Sequence, residues 1–141
     1  MKDSKPTIYD PSFLPTNIYG GTPTFMNLPV IENTEDLKEV DVAFIGVPWE
    51  GGCTIGGFSS CTLSPKSIRS ASIRYTGFLP EFDMDCYDYL KAGDYGDTAV
   101  KNGDYDFTFG EIGKKIGEIV DASAMIAAIV GAQPGLFNYF A

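Results

Sequence analysis

The chain contains no histidine. Within these 141 residues that excludes a Ser-His-Asp triad, a Cys-His pair and every metal site built on an imidazole. Cations are scarce as well: 10 Lys and Arg stand against 19 Asp and Glu, for a net charge of −9. They form no basic run, which argues against a nucleic-acid partner. No apolar run approaches the roughly 18 residues of a transmembrane helix. The opening "MKDSKPTIYDPS" lacks the apolar core of a secretory signal. Cysteine is limited to Cys53, Cys61 and Cys86, an odd number without a disulfide framework. These absences predict a cytoplasmic chain with no membrane and no nucleic-acid partner.

What is present suits one globular domain. Hydrophobic residues make up 44% of the 141, enough to bury a core. Residues 1–35 read as an extended arm punctuated by Pro6, Pro11, Pro15, Pro23 and Pro29. Its scattered Tyr9, Phe13, Ile18, Tyr19 and Phe25 predict packing across a domain or a neighbouring subunit. Residues 36–141 form the domain proper. "VDVAFIGV" (Val40–Val47) is the nearly continuous, β-branched run of a strand buried on both faces. A glycine-rich loop follows from Pro48 to Thr62. Ser64-Pro65 then opens a helix, with the Ser64 hydroxyl as cap, an apolar side at Ile68, Ala71, Ile73 and Tyr75, and a stop at Gly77. From Glu81 to Asp106 there are 8 acids and 2 lysines, read as a solvated surface segment with a short strand at Ala92–Tyr95. Phe107–Ala124 has helical spacing in Phe109, Ile112, Ile116, Ile119 and Val120, weakened by Gly113 and Gly117. Met125–Ala132 is a second buried strand. The order strand, loop, helix, strand, helix, strand predicts a doubly wound α/β sheet.

The loop "GVPWEGGCTIGG" is the first place to look for chemistry. It matches neither G-x-G-x-x-G nor G-x-x-x-x-G-K-[ST]. Pro48 removes a backbone donor and Glu50 adds negative charge, so both oppose an anion. A carboxylate, the Trp49 ring and flexible glycines suit a guanidinium or amine, by charge pairing and cation–π contact. Packing of Trp49 in the core, with Glu50 a plain loop residue, stands as the other reading. Cys53 and Cys61 lack a second ligand pair and read as buried structural thiols. "DMDCYD" has Asp88 where a calcium loop needs glycine, so an EF-hand is excluded. "DYGD" (Asp94–Asp97) and "GDYD" (Gly103–Asp106) read as turns with solvated acids.

Taken together, the loop and its flanks resemble the arginase/agmatinase (ureohydrolase) family over about residues 40–135. "DVAFIGVPWEGGCT" is similar to that family's first strand and loop, and "SPKSIRSASIRY" to the following helix, typically G-P-x-x-I-R. "DYGD" resembles its acidic turn after the next strand, and "IGEIVDASAMIAAIVGA" the helix and strand before the first metal motif. The resemblance implies the N-terminal portion of a three-layer α/β/α fold with a parallel sheet, here incomplete. It implies two manganese ions, or nickel, in the intact family, and hydrolysis of a guanidino group to urea and an amine. A dinuclear centre supplies hydroxide near neutral pH for attack on the guanidinium carbon.

The sequence departs from that pattern where the chemistry should begin. Gly131, Ala132, Gln133, Pro134 and Gly135 stand in place of G-G-D-H-S, and Pro134 cannot ligate metal. The D-A-H-x-D and D-x-D motifs would fall beyond Ala141. Thr62-Leu63-Ser64-Pro65 replaces the arginine-bearing G-A-R-x-G-P. No catalytic residue, metal ligand or cofactor is therefore assigned to this chain. The resemblance implies that Trp49, Glu50, Gly51, Gly52 and Thr54 correspond to a loop near the substrate mouth. The expected partners are a small guanidino substrate in the intact family, and a homo-oligomer or a hetero-oligomer with a full-length subunit. Two functions follow: a truncated guanidino hydrolase, inactive as this chain, or a complete non-catalytic subunit that binds a full-length partner.

Overall fold

Strand β1 (Val42–Val47) is the middle of a three-stranded parallel sheet, flanked by β4 (Ala92–Asp97) and β5 (Met125–Val130). The computed structural model describes residues 6, 21–50, 60–101 and 103–130, with backbone alone at residues 60 and 126–130. Helix α1 (Ser64–Ser72) carries the chain from β1 to β4, and α2 (Tyr105–Asp121) carries it past β1 to β5. The two crossovers run in opposite directions, so right-handed connection puts the two helices on opposite faces. A two-residue hairpin pair, β2 (Phe78–Leu79) with β3 (Met84–Asp85), lies between α1 and β4. The parallel sheet with helices on both faces is the α/β arrangement that the order of elements predicts.

Alternation in β1 sorts the core into two halves. Ala43, Ile45 and Val47 are buried against α2, through Ile119 and Ile112 with half-buried Ile116. Val42 and Phe44 face the other way, toward Phe25, Leu28 and Tyr87. The Phe25 and Phe44 rings stack at 4.2 Å. Residues 21–35 do more than trail. Val30 bridges to Asp94 in parallel fashion, with Ile31 N donating to Asp94 O at 2.8 Å and Asp94 N to Pro29 O at 2.9 Å. The arm thus covers the outer edge of β4.

Both ends of α2 are set by local chemistry. Asp104 accepts from Phe107 N at 3.0 Å as N-cap. At the other end Ser123 takes a left-handed φ of 64°, with Ala124 N donating to Ile119 O and Ser123 N to Val120 O. That is the Schellman pattern, with serine where glycine usually stands.

Four sequence expectations are corrected here. Leu63, not Ser64, holds the N-cap position of α1, and it makes no side-chain cap bond. A 3-10 turn over Ser60–Leu63 delivers the chain into the helix instead. The buried side of α1 is Pro65, Arg69 and Ser72, while Ile68 and Tyr75 are exposed. "DYGD" is no solvated turn: it is the end of β4, and Asp94 is 2% exposed. Cys61 is half-buried rather than fully so, and Cys53 lies outside the described residues.

Candidate functional site

The carboxyl ends of β1 and β4 meet at Gly46, where Thr98 N donates to Gly46 O at 2.8 Å. In open α/β sheets this is the end at which ligands are held. Beyond Val47 the chain doubles back at once: Trp49 N reaches Val47 O at 2.8 Å across Pro48. That hooked turn drops the indole beside α2. Trp49 is buried in contact with Val47 and Ile112, with ring contacts to Tyr105 at 5.7 Å and Phe109 at 5.2 Å. Glu50 follows it and is 4% exposed, yet its Oε1 has no partner among the described residues. A buried carboxylate oxygen left unpaired is costly, so the position favours a cation brought from elsewhere. Gly51, Gly52 and Thr54 lie outside the described residues.

A charged clamp joins α1 to the end of β4. Arg69 donates from Nε to Asp94 Oδ2 at 2.7 Å and from a terminal nitrogen to Asp94 Oδ1 at 2.9 Å. Its second terminal nitrogen binds Asp97 Oδ1. Asp94 also accepts from Phe25 N at 2.8 Å and from Gly96 N at 2.9 Å, so one carboxylate fastens arm, helix and strand. Burial disfavours the Arg69 charge, but its hydrogen bonds with Asp94 and Asp97 outweigh that and hold the guanidinium above its ordinary pKa. Sequence spacing alone would put Asp94 and Asp97 on opposite faces, being three residues apart. The β1–β4 register shows how they come together: Phe44 pairs with Asp94 but Gly46 with Asp97, an extra residue on β4. This bulge turns on Gly96, whose φ is +68°. Gly46 is a second requirement. A Cβ there would strike Asp97 Oδ1 and come within 2.9 Å of Pro65 Cβ.

Neither Arg69 nor its two aspartates emerges from residue chemistry as a site. The available signal is the pair of charged motifs, "SPKSIR" and "DYGD", lying on successive elements.

The opposite face of β4 holds a second polar group. Tyr95 donates its hydroxyl to Glu118 Oε2 at 2.7 Å, and Lys115 Nζ lies 4.5 Å from the Tyr95 ring centroid. Burial first, then the Glu118 bond, pushes the Tyr95 pKa up to about 12. Lys115 Nζ also donates to Asp97 O at 2.9 Å. Burial lowers its pKa against the pull of Asp97, Glu118 and Asp94.

The residues on view do not suit a dinuclear metal centre. Among the described residues no three His, Cys, Asp or Glu side chains converge to hold an ion. The two carboxylates at the end of β4 are already claimed by Arg69. No helix among the described residues is long and apolar enough to cross a membrane.

Comparison with known proteins bears on the same segment. A guanidinopropionase of Pseudomonas aeruginosa is 31% identical over 100 residues, 71% of this chain and 29% of that protein. A guanidinobutyrase of the same organism is 30% identical over 82 residues, 58% of this chain and 25% of that protein. Two solved structures at 25% identity each superpose on 79% of the chain. They are a hypothetical agmatinase from Burkholderia thailandensis (TM-score 0.64, 34% of that chain) and proclavaminate amidino hydrolase from Streptomyces clavuligerus (TM-score 0.65, 35% of that chain). The chain therefore spans about a quarter to a third of the length of the relatives it matches. The sequence model of the arginase family matches residues 40–132, from the approach to β1 through the end of β5, and the chain belongs to that family.

Proposed function

We propose that this chain is the N-terminal part of a guanidino hydrolase, which splits a guanidino compound with water into urea and an amine. The observation that carries the reading is the family match over residues 40–132, which takes in β1, the Arg69 clamp and β5. Matching relatives named guanidinobutyrase and guanidinopropionase favour an ω-guanidino acid as the substrate class.

Within this reading the described Trp49 and Glu50 lie near the substrate mouth, the role that the resemblance gives to them together with Gly51, Gly52 and Thr54. Glu50 Oε1, buried and without a partner among the described residues, offers negative charge to a guanidinium. Trp49 anchors the loop through the Phe109 and Tyr105 rings. Manganese or nickel supplies the activated water in the intact enzyme, held by residues other than the described ones. The 141 residues alone release no urea.

The coding DNA past codon 141 tests the reading. A frame spelling G-G-D-H-S, D-A-H-x-D and D-x-D is expected, and its full product should release urea from 4-guanidinobutyrate or 3-guanidinopropionate. Glu50→Gln in that product should raise KM more than it lowers kcat. If no frame carries the motifs, the hydrolase reading fails, and association with a full-length subunit becomes the function to assay. Urea release by the pure 141-residue chain in manganese or nickel would overturn the claim of inactivity.

A further inference from the structure

Between α1 and β4 the chain turns its apolar side chains outward. Tyr75, Phe78, Leu79, Phe82, Tyr89 and Leu90 are each 40–72% exposed. They are six of the thirteen large apolar side chains exposed among the described residues, and all fall between residues 75 and 90. Scattered singly, such side chains would call for no explanation, but a concentration of them marks a contact surface.

The β2–β3 hairpin at the centre of this stretch is built to present them. Phe78 pairs with Asp85 and Leu79 with Met84. Successive side chains on a strand point to opposite faces, yet Phe78 and Leu79 are both exposed. Neither face of β2 is therefore laid on the body of the domain, and the hairpin projects from it. Its foot is firm. Cys86 N donates to Gly77 O at 2.9 Å, and Tyr87 N to Asp85 Oδ1 at 2.9 Å. The buried Tyr87 ring lies so close to Gly77 that a Cβ there would strike it. The tip is a defined turn as well. Phe82 N donates to Leu79 O at 3.1 Å across Pro80 and Glu81, and Asp83 takes a left-handed φ of 48°. Phe82, 72% exposed, is thus held out on a rigid mount. Glu81 and Asp83 flank it, both exposed, and neither carboxylate has a partner among the described residues.

We infer that this hairpin is a docking knob for a polypeptide partner, with Phe82 set against an apolar surface bordered by Lys or Arg. Charge selects the occupant. From Tyr75 to Leu90 there are four acids and no Lys or Arg. Nucleic acid and an anionic lipid surface are both repelled. A second copy, meeting this one hairpin to hairpin, would set Glu81 and Asp83 against their equals. A basic border pairs with both carboxylates while the ring is taken out of water, and an aromatic anchor of this kind carries most of the energy of a contact. The firm mount keeps the cost of ordering low. The inference stands apart from the hydrolase reading, because none of these residues belongs to the β1 loop or the Arg69 clamp.

The test uses the 141-residue chain and two fluorescein-labelled amphipathic peptides, one of Lys, Leu and Ala and its counterpart with Glu in place of Lys, read by anisotropy. The lysine peptide should bind and the glutamate peptide should not. Phe82→Ser should weaken binding at least about tenfold. Val120→Ser, an equally exposed apolar change on α2, should leave it unaltered. Glu81→Gln with Asp83→Asn should weaken binding at about 50 mM salt and make little difference at about 500 mM, where the charges are already screened. All the substituted side chains are exposed, and circular dichroism confirms that each variant keeps the fold. No binding of the lysine peptide, equal binding of the two peptides, or full binding by Phe82→Ser overturns the inference. So does self-association in sedimentation that Phe82→Ser abolishes, since the occupant would then be a second copy.

Discussion

The two helices are held against the two faces of the sheet by opposite chemistry. On one, Ala43, Ile45 and Val47 meet Ile112 and Ile119 in an apolar layer. On the other, α1 turns Pro65, Arg69 and Ser72 inward, and its chief hold on the sheet is one guanidinium between two carboxylates. An apolar layer loses stability in proportion to what is removed from it. A buried ion pair behaves differently, because removing one partner strands the other. The α2 contact with the sheet therefore degrades gradually, and the α1 contact fails abruptly.

The strongest test of that contrast is Arg69→Met. It leaves Asp94 charged and buried, and should cost about 3–5 kcal/mol in urea denaturation. Pairing it with Asp94→Leu should recover more than half of the loss. A double variant as weak as the single one would mean that the face is apolar in its energetics after all. Ile119→Ala, in the layer against α2, should cost about 3 kcal/mol with no such rescue by a neighbour. Gly46→Ala pushes on Asp97 and Pro65 at once and should cost about 1–3 kcal/mol. Combined with Arg69→Met it should add little, since both break one clamp.

A change in the other direction is available on α2. Gly113 has open space around it and an ordinary helical backbone. Gly113→Ala should therefore add about 1 kcal/mol. The smallest effect is at the exposed helix cap. Lys101 and the Phe107 N–H lower the Asp104 pKa below its ordinary 3.8. A depressed carboxyl stabilises above its ordinary value and loses that contribution as pH falls through the lowered one. Asp104→Asn should accordingly flatten the fall of the urea midpoint across that acid window, and an unchanged slope would show that the cap carries no linkage.

The difference between the faces also decided what the sequence could reveal. The β-branched run of β1 and the spacing of Ile112, Ile116 and Ile119 carry their own signals, because apolar burial is periodic along one segment. The strand at β5 was legible for the same reason. Arg69 and Asp94 have no such local signature. Each looks like surface until the other is placed beside it, 25 residues away. "DYGD" has the composition of a turn, because Asp and Gly favour turns, whereas here the glycine makes a bulge inside a strand. The Glu50 environment was legible only as chemistry. That its carboxylate is buried depends on the hook at Pro48, which no residue pattern announced.

That bulge at Gly96 has a consequence for how the segment tolerates insertions and deletions. A strand has parity: residues an even number apart share a face. The extra residue reverses the parity, so all that follows it is read in the opposite phase from all that precedes it. Losing one residue from an exposed turn such as the one at Gly103 shortens a loop. Losing Gly96 would swing Asp97 from the α1 side to the α2 side and take its carboxylate out of reach of Arg69. The length of this segment is therefore fixed to a single residue.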